Sequence, residues 1–206
     1  MTRTTTTRKD VLQEFRRTEI LAAAAKVFGE KGYEATHMMD VAEAAGLAKG
    51  TLYLYFPSKD AIYEATLRAA VSELQILTED HIGRETDFAG KLAAFVRVRI
   101  AFWSEKQSLY RVIVSLGREA HNQKRSIALQ RKVVEYLTQL FRRASAAGEI
   151  PEQDFEAAAW ATMDAIRGVN ERRVYSEGNT TEHDTRFLTE FLLNAVGWRS
   201  VQGGPQ

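Results

Sequence analysis

Apolar residues recur along most of this chain at steps of three and four, the spacing that lines them up on one stripe of an α-helix. Over 10–30 the stripe runs through Phe15, Ile20, Ala23, Ala24, Val27 and Phe28, and Gly32 just beyond is a usual C-terminal stop. A short second helix is expected over 37–45, capped by Thr36, with Val41 and Ala42 inward and Gly46 ending it. A third spans 49–56 and is broken by Pro57. Ser58 caps a fourth, which runs long, to about 81, with Asp60 in the first turn where the helix dipole favours an acid. Further helices are expected over about 87–104, 107–116, 122–147, 154–177 and 182–198. The pattern predicts an all-α fold of about nine helices. The domain break is expected inside the long fourth helix, so that 18–66 forms one domain and 67–199 another. A basic arm, 1–17, precedes them, and the tail 200–206 is expected to be disordered.

Composition narrows the possibilities. With 206 residues, 45% of them apolar, the chain can bury a real core. Charged residues make up 27% and nearly cancel, leaving a net charge of +1, so a nucleic-acid partner has to be found through a local patch. The absence of cysteine excludes disulfides and thiolate chemistry. No apolar leader opens the chain, and no apolar run nears the roughly 20 residues a membrane span needs. A soluble, cytoplasmic protein with no membrane partner is expected. The four histidines, His37, His81, His121 and His183, are scattered without a second ligand at metal spacing, and no H-E-x-x-H, G-x-S-x-G or P-loop pattern occurs. No metal and no cofactor are therefore expected, and an enzyme on a helical bundle stands only as a remote alternative.

Two short helices joined by a turn at Gly46 outline a helix-turn-helix. Ala42 is small enough for a second helix to cross close by, and glycine supplies the left-handed backbone of a tight turn. The third helix then brings Lys49, Thr51, Tyr53 and Tyr55 toward a major groove, while Leu52 and Phe56, four apart, face inward. The stretch 18–67 resembles the N-terminal DNA-binding domain of the TetR/AcrR family of bacterial transcriptional regulators. The likeness rests on Ala24, Phe28, Gly32 and Tyr33, on Thr36, Val41-Ala42 and Ala45-Gly46, on the block Lys49–Tyr53, and on Tyr55-Phe56 and Ser58-Lys59. It covers about a quarter of the chain. It implies that Thr36 caps helix two and meets a phosphate, that Lys49 and Gly50 approach the DNA, that Thr51, Tyr53 and Tyr55 lie along it, and that Lys59 meets a phosphate. Ala48 and Tyr55 depart from the residues usual in the family. Over 1–60, nine Lys/Arg stand against eight Asp/Glu, so affinity has to come from how charges are placed and from pairing two copies.

A single short reading helix covers few base pairs, and a two-fold dimer doubles the contact. The expected dimer surface joins the small residues Ala158, Ala161, Ala165 and Gly168 to the broad apolar face of Phe187, Phe191, Leu192 and Val196. Between the reading head and that surface aromatic residues are dense. Phe95, Phe102, Trp103, Tyr110, Tyr136 and Trp160, with Arg99, Arg167 and Asn170 as polar groups, are the candidates for a ligand pocket. The expected function is a homodimeric repressor, released from a palindromic double-stranded operator by a small apolar or amphipathic effector. A ligand-independent regulator, or an activator with the same head, is the alternative.

Overall fold

The computed structural model describes residues 8–117, 120–175 and 179–199, with the side chains at 9 and 115–129 left aside. Among the described residues every regular element is an α-helix. They are α1 (Arg8–Lys31), α2 (Met38–Ala44), α3 (Lys49–Tyr55), α4 (Lys59–Gly83), α5 (Phe88–Glu105), α6 (Gln107–Gly117), α7 (Ala120–Ala146), α8 (Phe155–Tyr175) and α9 (Thr181–Ala195). The chain falls into two compact units, divided within α4 between Glu73 and Leu74, and the first unit also takes in Ser108–Val112 of α6.

In the first unit α2 packs on α1 and α3 on α2. Its core is the stripe the periodicity selects: Ile20, Ala24, Phe28, Val41, Ala42, Leu52, Phe56 and Ile62 are all essentially without exposure. Phe15 is a correction. It was expected on that stripe, yet it is 63% exposed, because periodicity marks a face of a helix but not whether anything covers it. Gly29 has a packing role that the sequence did not reveal. A Cβ there would sit 2.3 Å from Ser108 Cβ, so only glycine lets α6 approach α1 this closely.

The second unit packs α7 on α8 and sets α5 against both α8 and α9. Leu92, Phe95, Val96, Ile100, Leu137, Phe141, Ala159, Ile166, Leu188, Leu192 and Val196 form one buried cluster. Helix ends are closed by local bonds. Asp87 accepts from the Gly90 N–H at 2.7 Å, and Thr180 accepts from the His183 N–H at 3.1 Å. At Gly148 and Gly197, both with positive φ, the chain turns back so that Glu149 N–H reaches Ala144 O and Trp198 N–H reaches Leu193 O. The basic residues at 1–7, the end of the expected helix at 176–177 and the tail 200–206 lie outside the described residues.

Gly29→Ala tests the close approach of α1 and α6. Overpacking predicts a loss of roughly 1–3 kcal/mol in urea or thermal unfolding. Adding Ser108→Gly should restore only part of it, since the Ser108 carbonyl carbon and Cα would still lie 3.1 and 3.2 Å from the new methyl.

Candidate functional site

The turn between α2 and α3 is built as the residues require. Gly46 has φ +65°, Gly46 N–H bonds to Glu43 O at 3.0 Å, and Leu47 N–H reaches back to Ala42 O at 2.8 Å. Leu52 of α3 and Phe56, its C-cap, point inward, and Lys49, Gly50, Tyr53 and Leu54 point out. Thr51 and Tyr55 are half-buried at its flanks. Lys49 Nζ stands 6.0 Å from the Tyr53 ring centroid. The surprise is Leu54, which no pattern in the sequence singles out. At 85% exposed it is the most open large apolar side chain among the described residues of the unit, whereas Tyr55, expected along the DNA face with Thr51 and Tyr53, is half-buried. The signal available was angular: four residues on from Gly50, Leu54 shares its face of the helix.

Two residues expected to meet phosphates have structural duties. Thr36 is buried, and its hydroxyl donates to Gly32 O at 2.6 Å, so it closes the end of α1 rather than capping α2. The N-cap of α2 is His37, whose N–H donates to Asp40 Oδ2 at 2.8 Å. Lys59 Nζ donates to the carbonyls of Tyr33 and Glu34 at 2.9 and 3.2 Å and lies 4.4 Å from the Tyr33 ring centroid. Two of its three N–H donors are thus committed, leaving one for a phosphate. Beneath it Phe28, Tyr33 and Tyr63 form a ring cluster, and the Tyr33 hydroxyl donates to Asp60. Burial, together with the bond to Asp60, pushes the Tyr33 pKa upward, and burial holds that of Tyr63 at about 12. Both phenols are neutral donors at any physiological pH.

In the second unit the expected pocket residues separate into groups. Phe95, Arg99 and Tyr136 meet, with Arg99 Cζ 3.5 Å from the Phe95 ring centroid. Apart from them, Trp103 and Asn170 line a cavity of about 140 Å³, shared with Ser104, Gln107, Arg173 and Asn179. There Asn170 is 3% exposed and its Oδ1 has no hydrogen-bond partner among the described residues. Phe102 packs edge-on to Trp103, and Trp160 packs against the core cluster. Tyr110 belongs to the first unit and so leaves this set. Arg167 leaves it too, being half-exposed and paired with Asp164 and Glu171 along its own helix.

The expected dimer face also divides. Ala161, Gly168, Phe187 and Phe191 are exposed, the two phenylalanines stacked with centroids 6.3 Å apart. Ala158 and Ala165 are half-buried against the core. Leu192 and Val196 are corrections: both are 4% exposed in the core of their own unit and present nothing to a partner. No described helix is long and apolar enough to cross a membrane.

The family model described as "Bacterial regulatory proteins, tetR family" matches residues 20–66, the segment that carries α2, the turn and α3. Among curated proteins the chain is 44% identical over 59 residues to the transcriptional repressor KstR2 of Rhodococcus jostii, 29% of each chain. It is 35% identical to the transcriptional activator FasR of Mycolicibacterium smegmatis over 48% of this chain and 45% of that one. In both, the chain spans under half of the relative's length. The repressor KstR of Mycolicibacterium smegmatis matches more broadly, 29% identical over 90% of this chain and 78% of its own. Of solved structures, the TetR family regulator PfmR from Thermus thermophilus superposes with TM-score 0.69 at 28% identity, covering 85% of this chain and 97% of that one. AibR, solved with isovaleryl coenzyme A and operator DNA, superposes with TM-score 0.70 at 20% identity over 85% of this chain and 97% of that one.

Asp40 offers a test of how α2 is held. A hydrogen bond from Lys31 and another from the His37 N–H hold its carboxyl below the usual carboxylate range. The stability it adds is full above the ordinary pKa of an unfolded aspartate and is lost as pH falls through the lowered folded value. Asp40→Asn should lower the melting temperature at neutral pH and flatten the acid side of the stability profile. An unchanged acid limb would show that the carboxylate does not hold α2.

Proposed function

We propose that this chain, a member of the TetR family of bacterial regulatory proteins, represses transcription as a homodimer that leaves a palindromic operator when a small amphipathic ligand binds. It is a DNA-binding transcriptional regulator and not an enzyme. The observation that carries the operator reading is α3: a helix fixed by Leu52 and Phe56, with Lys49, Gly50, Tyr53 and Leu54 turned outward and Thr51 beside them. Lysine and tyrosine suit phosphates, threonine suits either phosphate or base, and an exposed leucine suits a thymine methyl in the major groove. DNA as the partner implies work in the cytoplasm.

Support for the homodimer is the exposed, stacked Phe187–Phe191 pair on α9, with Ala161 and Gly168 exposed on the adjacent α8. Buried aromatics anchor interfaces, and small residues let helices approach. Two copies bring two reading helices about 34 Å apart, one turn of DNA. Support for a ligand is the buried polar groups of the second unit, and AibR, of the same fold, was solved with both isovaleryl coenzyme A and operator DNA. Support for repression is the broader match, to KstR, named a repressor. The match to FasR, named an activator, favours a second reading in which the same head activates.

Duplexes selected from random DNA by the purified protein supply the site for gel-shift measurement. Lys49→Ala and Tyr53→Ala should each weaken binding by about tenfold, on the order of 1–3 kcal/mol, with the melting temperature unchanged because both side chains are exposed. Undiminished binding by both variants overturns the assigned face. Phe187→Glu combined with Phe191→Glu should yield a monomer in analytical ultracentrifugation and reduce operator affinity steeply. A stable dimer in that double variant places the interface elsewhere.

A further inference from the structure

Arg99 is the most unusual charged residue of the second unit. It lies on α5, one turn beyond Phe95, and is only 6% exposed. Its guanidinium rests 3.5 Å from the Phe95 ring centroid, and Nη1 donates to Thr78 Oγ1 at 3.0 Å. The Thr78 hydroxyl in turn donates to Leu74 O at 2.6 Å, so Thr78 is a neutral partner whose own proton is already placed. Among the described residues no carboxylate pairs with Arg99. The titratable group that acts on it is Tyr136, a phenol whose own pKa burial raises. Glu79 and Arg143 act on Tyr136 from α4 and α7.

This arrangement is costly for the fold and favours a ligand. A guanidinium carries five N–H donors in a planar fork, and among the described residues one acceptor, Thr78 Oγ1, meets it. Buried charges are normally matched by an opposite charge, since a desolvated cation without one destabilises the folded chain. Burial lowers the pKa of Arg99 to about 9, which still leaves it charged at neutral pH. The surroundings of the guanidinium are aromatic. Phe95 is fully buried, while Tyr136, nearly parallel to it with centroids 6.5 Å apart, is 41% exposed and marks the solvent side.

Building on the ligand-responsive reading above, we propose that Arg99 anchors the carboxylate of an amphipathic effector whose apolar part lies against Phe95 and Tyr136. The fork geometry matches a carboxylate through two parallel N–H···O bonds. A monoanion is selected over a phosphate dianion because one buried guanidinium neutralises one charge. Arg99 would then set the effector's chemical class, acids over neutral molecules of the same shape.

The test uses the full chain with straight-chain decanoate as probe, and decanamide, decanol and decyl phosphate as controls. In thermal-shift assays decanoate should raise the melting temperature of the wild type by several degrees and the neutral compounds should not. Arg99→Met should melt as high as the wild type or higher without ligand, since it removes an uncompensated buried charge, and should lose the distinction between decanoate and decanamide. Arg99→Lys keeps the charge but not the fork, and should bind decanoate at least tenfold more weakly with decanamide binding unaltered. The lysine variant reads the site even if the methionine variant fails to fold. Equal stabilisation by decanoate and decanamide overturns the anionic anchor while leaving ligand response intact. A preference for decyl phosphate overturns the monoanion assignment. No stabilisation by decanoate, with Arg99→Met melting well below wild type, makes Arg99 a structural residue and overturns the proposal. If decanoate binds through Arg99 yet leaves DNA binding unchanged, the anchor stands and the release reading of the previous section falls.

Discussion

The reading head depends on keeping a seven-residue helix in being. α2 and α3 are each seven residues long, far below the length at which a helix persists alone in water. Their order has to be imposed from outside. Leu52 and Phe56 fix the inner face of α3, and the Gly46 turn fixes its angle to α2 through the Leu47–Ala42 bond. At the far end Arg17 of α1 lies 4.3 Å from the Phe56 ring centroid and donates to Tyr55 O at 3.4 Å, meeting a carbonyl the helix cannot satisfy itself. Lys59 does the same for the chain entering α2, holding the carbonyls of Tyr33 and Glu34. Cations that might have been counted as DNA contacts are thus partly spent on the scaffold that presents the contacts.

That division explains where the sequence was readable. Ser58 accepts from the Ala61 N–H at 3.1 Å, as a serine just before a helix should. Thr36 looked equally suited to its cap, but a hydroxyl bonds wherever the fold brings an acceptor, and the end of α1 reached it first. Leu52 and Phe56 were legible because two large apolar groups four apart have one sensible destination. Leu54 was not, because an isolated leucine carries no polar signal to distinguish a groove contact from stray surface.

In the second unit periodicity specified faces and left coverage open. Phe187, Leu188, Phe191, Leu192 and Val196 form one broad apolar arc in the sequence, yet Leu188, Leu192 and Val196 are consumed by the core while Phe187 and Phe191 stay exposed. The aromatic candidates were similarly undivided on paper. Folding sends Tyr110 to the first unit and separates Phe95 and Tyr136 from Trp103 and Asn170, a sorting set by which helices pack together rather than by spacing along one of them. The polar residues in these groups were the better guide. Arg99 and Asn170 are nearly inaccessible, and neither is fully matched by the protein.

The chemistry of α3 also constrains the assembly. Seven residues rise only about 10 Å, enough to face a few base pairs. Of the outward set, Lys49 is a flexible point charge, Tyr53 lies beneath it, Gly50 offers backbone alone, and Leu54 offers only methyl groups. If α3 reads DNA as proposed, hydrogen-bond reading would rest on Lys49 and on the half-buried Thr51, too little to single out one site among the competing sequence of a genome. Such a head becomes selective when a second copy must find the same pattern one turn away, because the free energies of the two half-sites then add and mismatches in either count against the whole. In the proposed dimer the stacked, exposed pair Phe187 and Phe191 would offer apolar surface to that copy. On the proposed dimer, the sparse polar chemistry of α3 and the apolar surface of α9 are linked: the less a single α3 can distinguish, the more such a regulator needs a surface that doubles it.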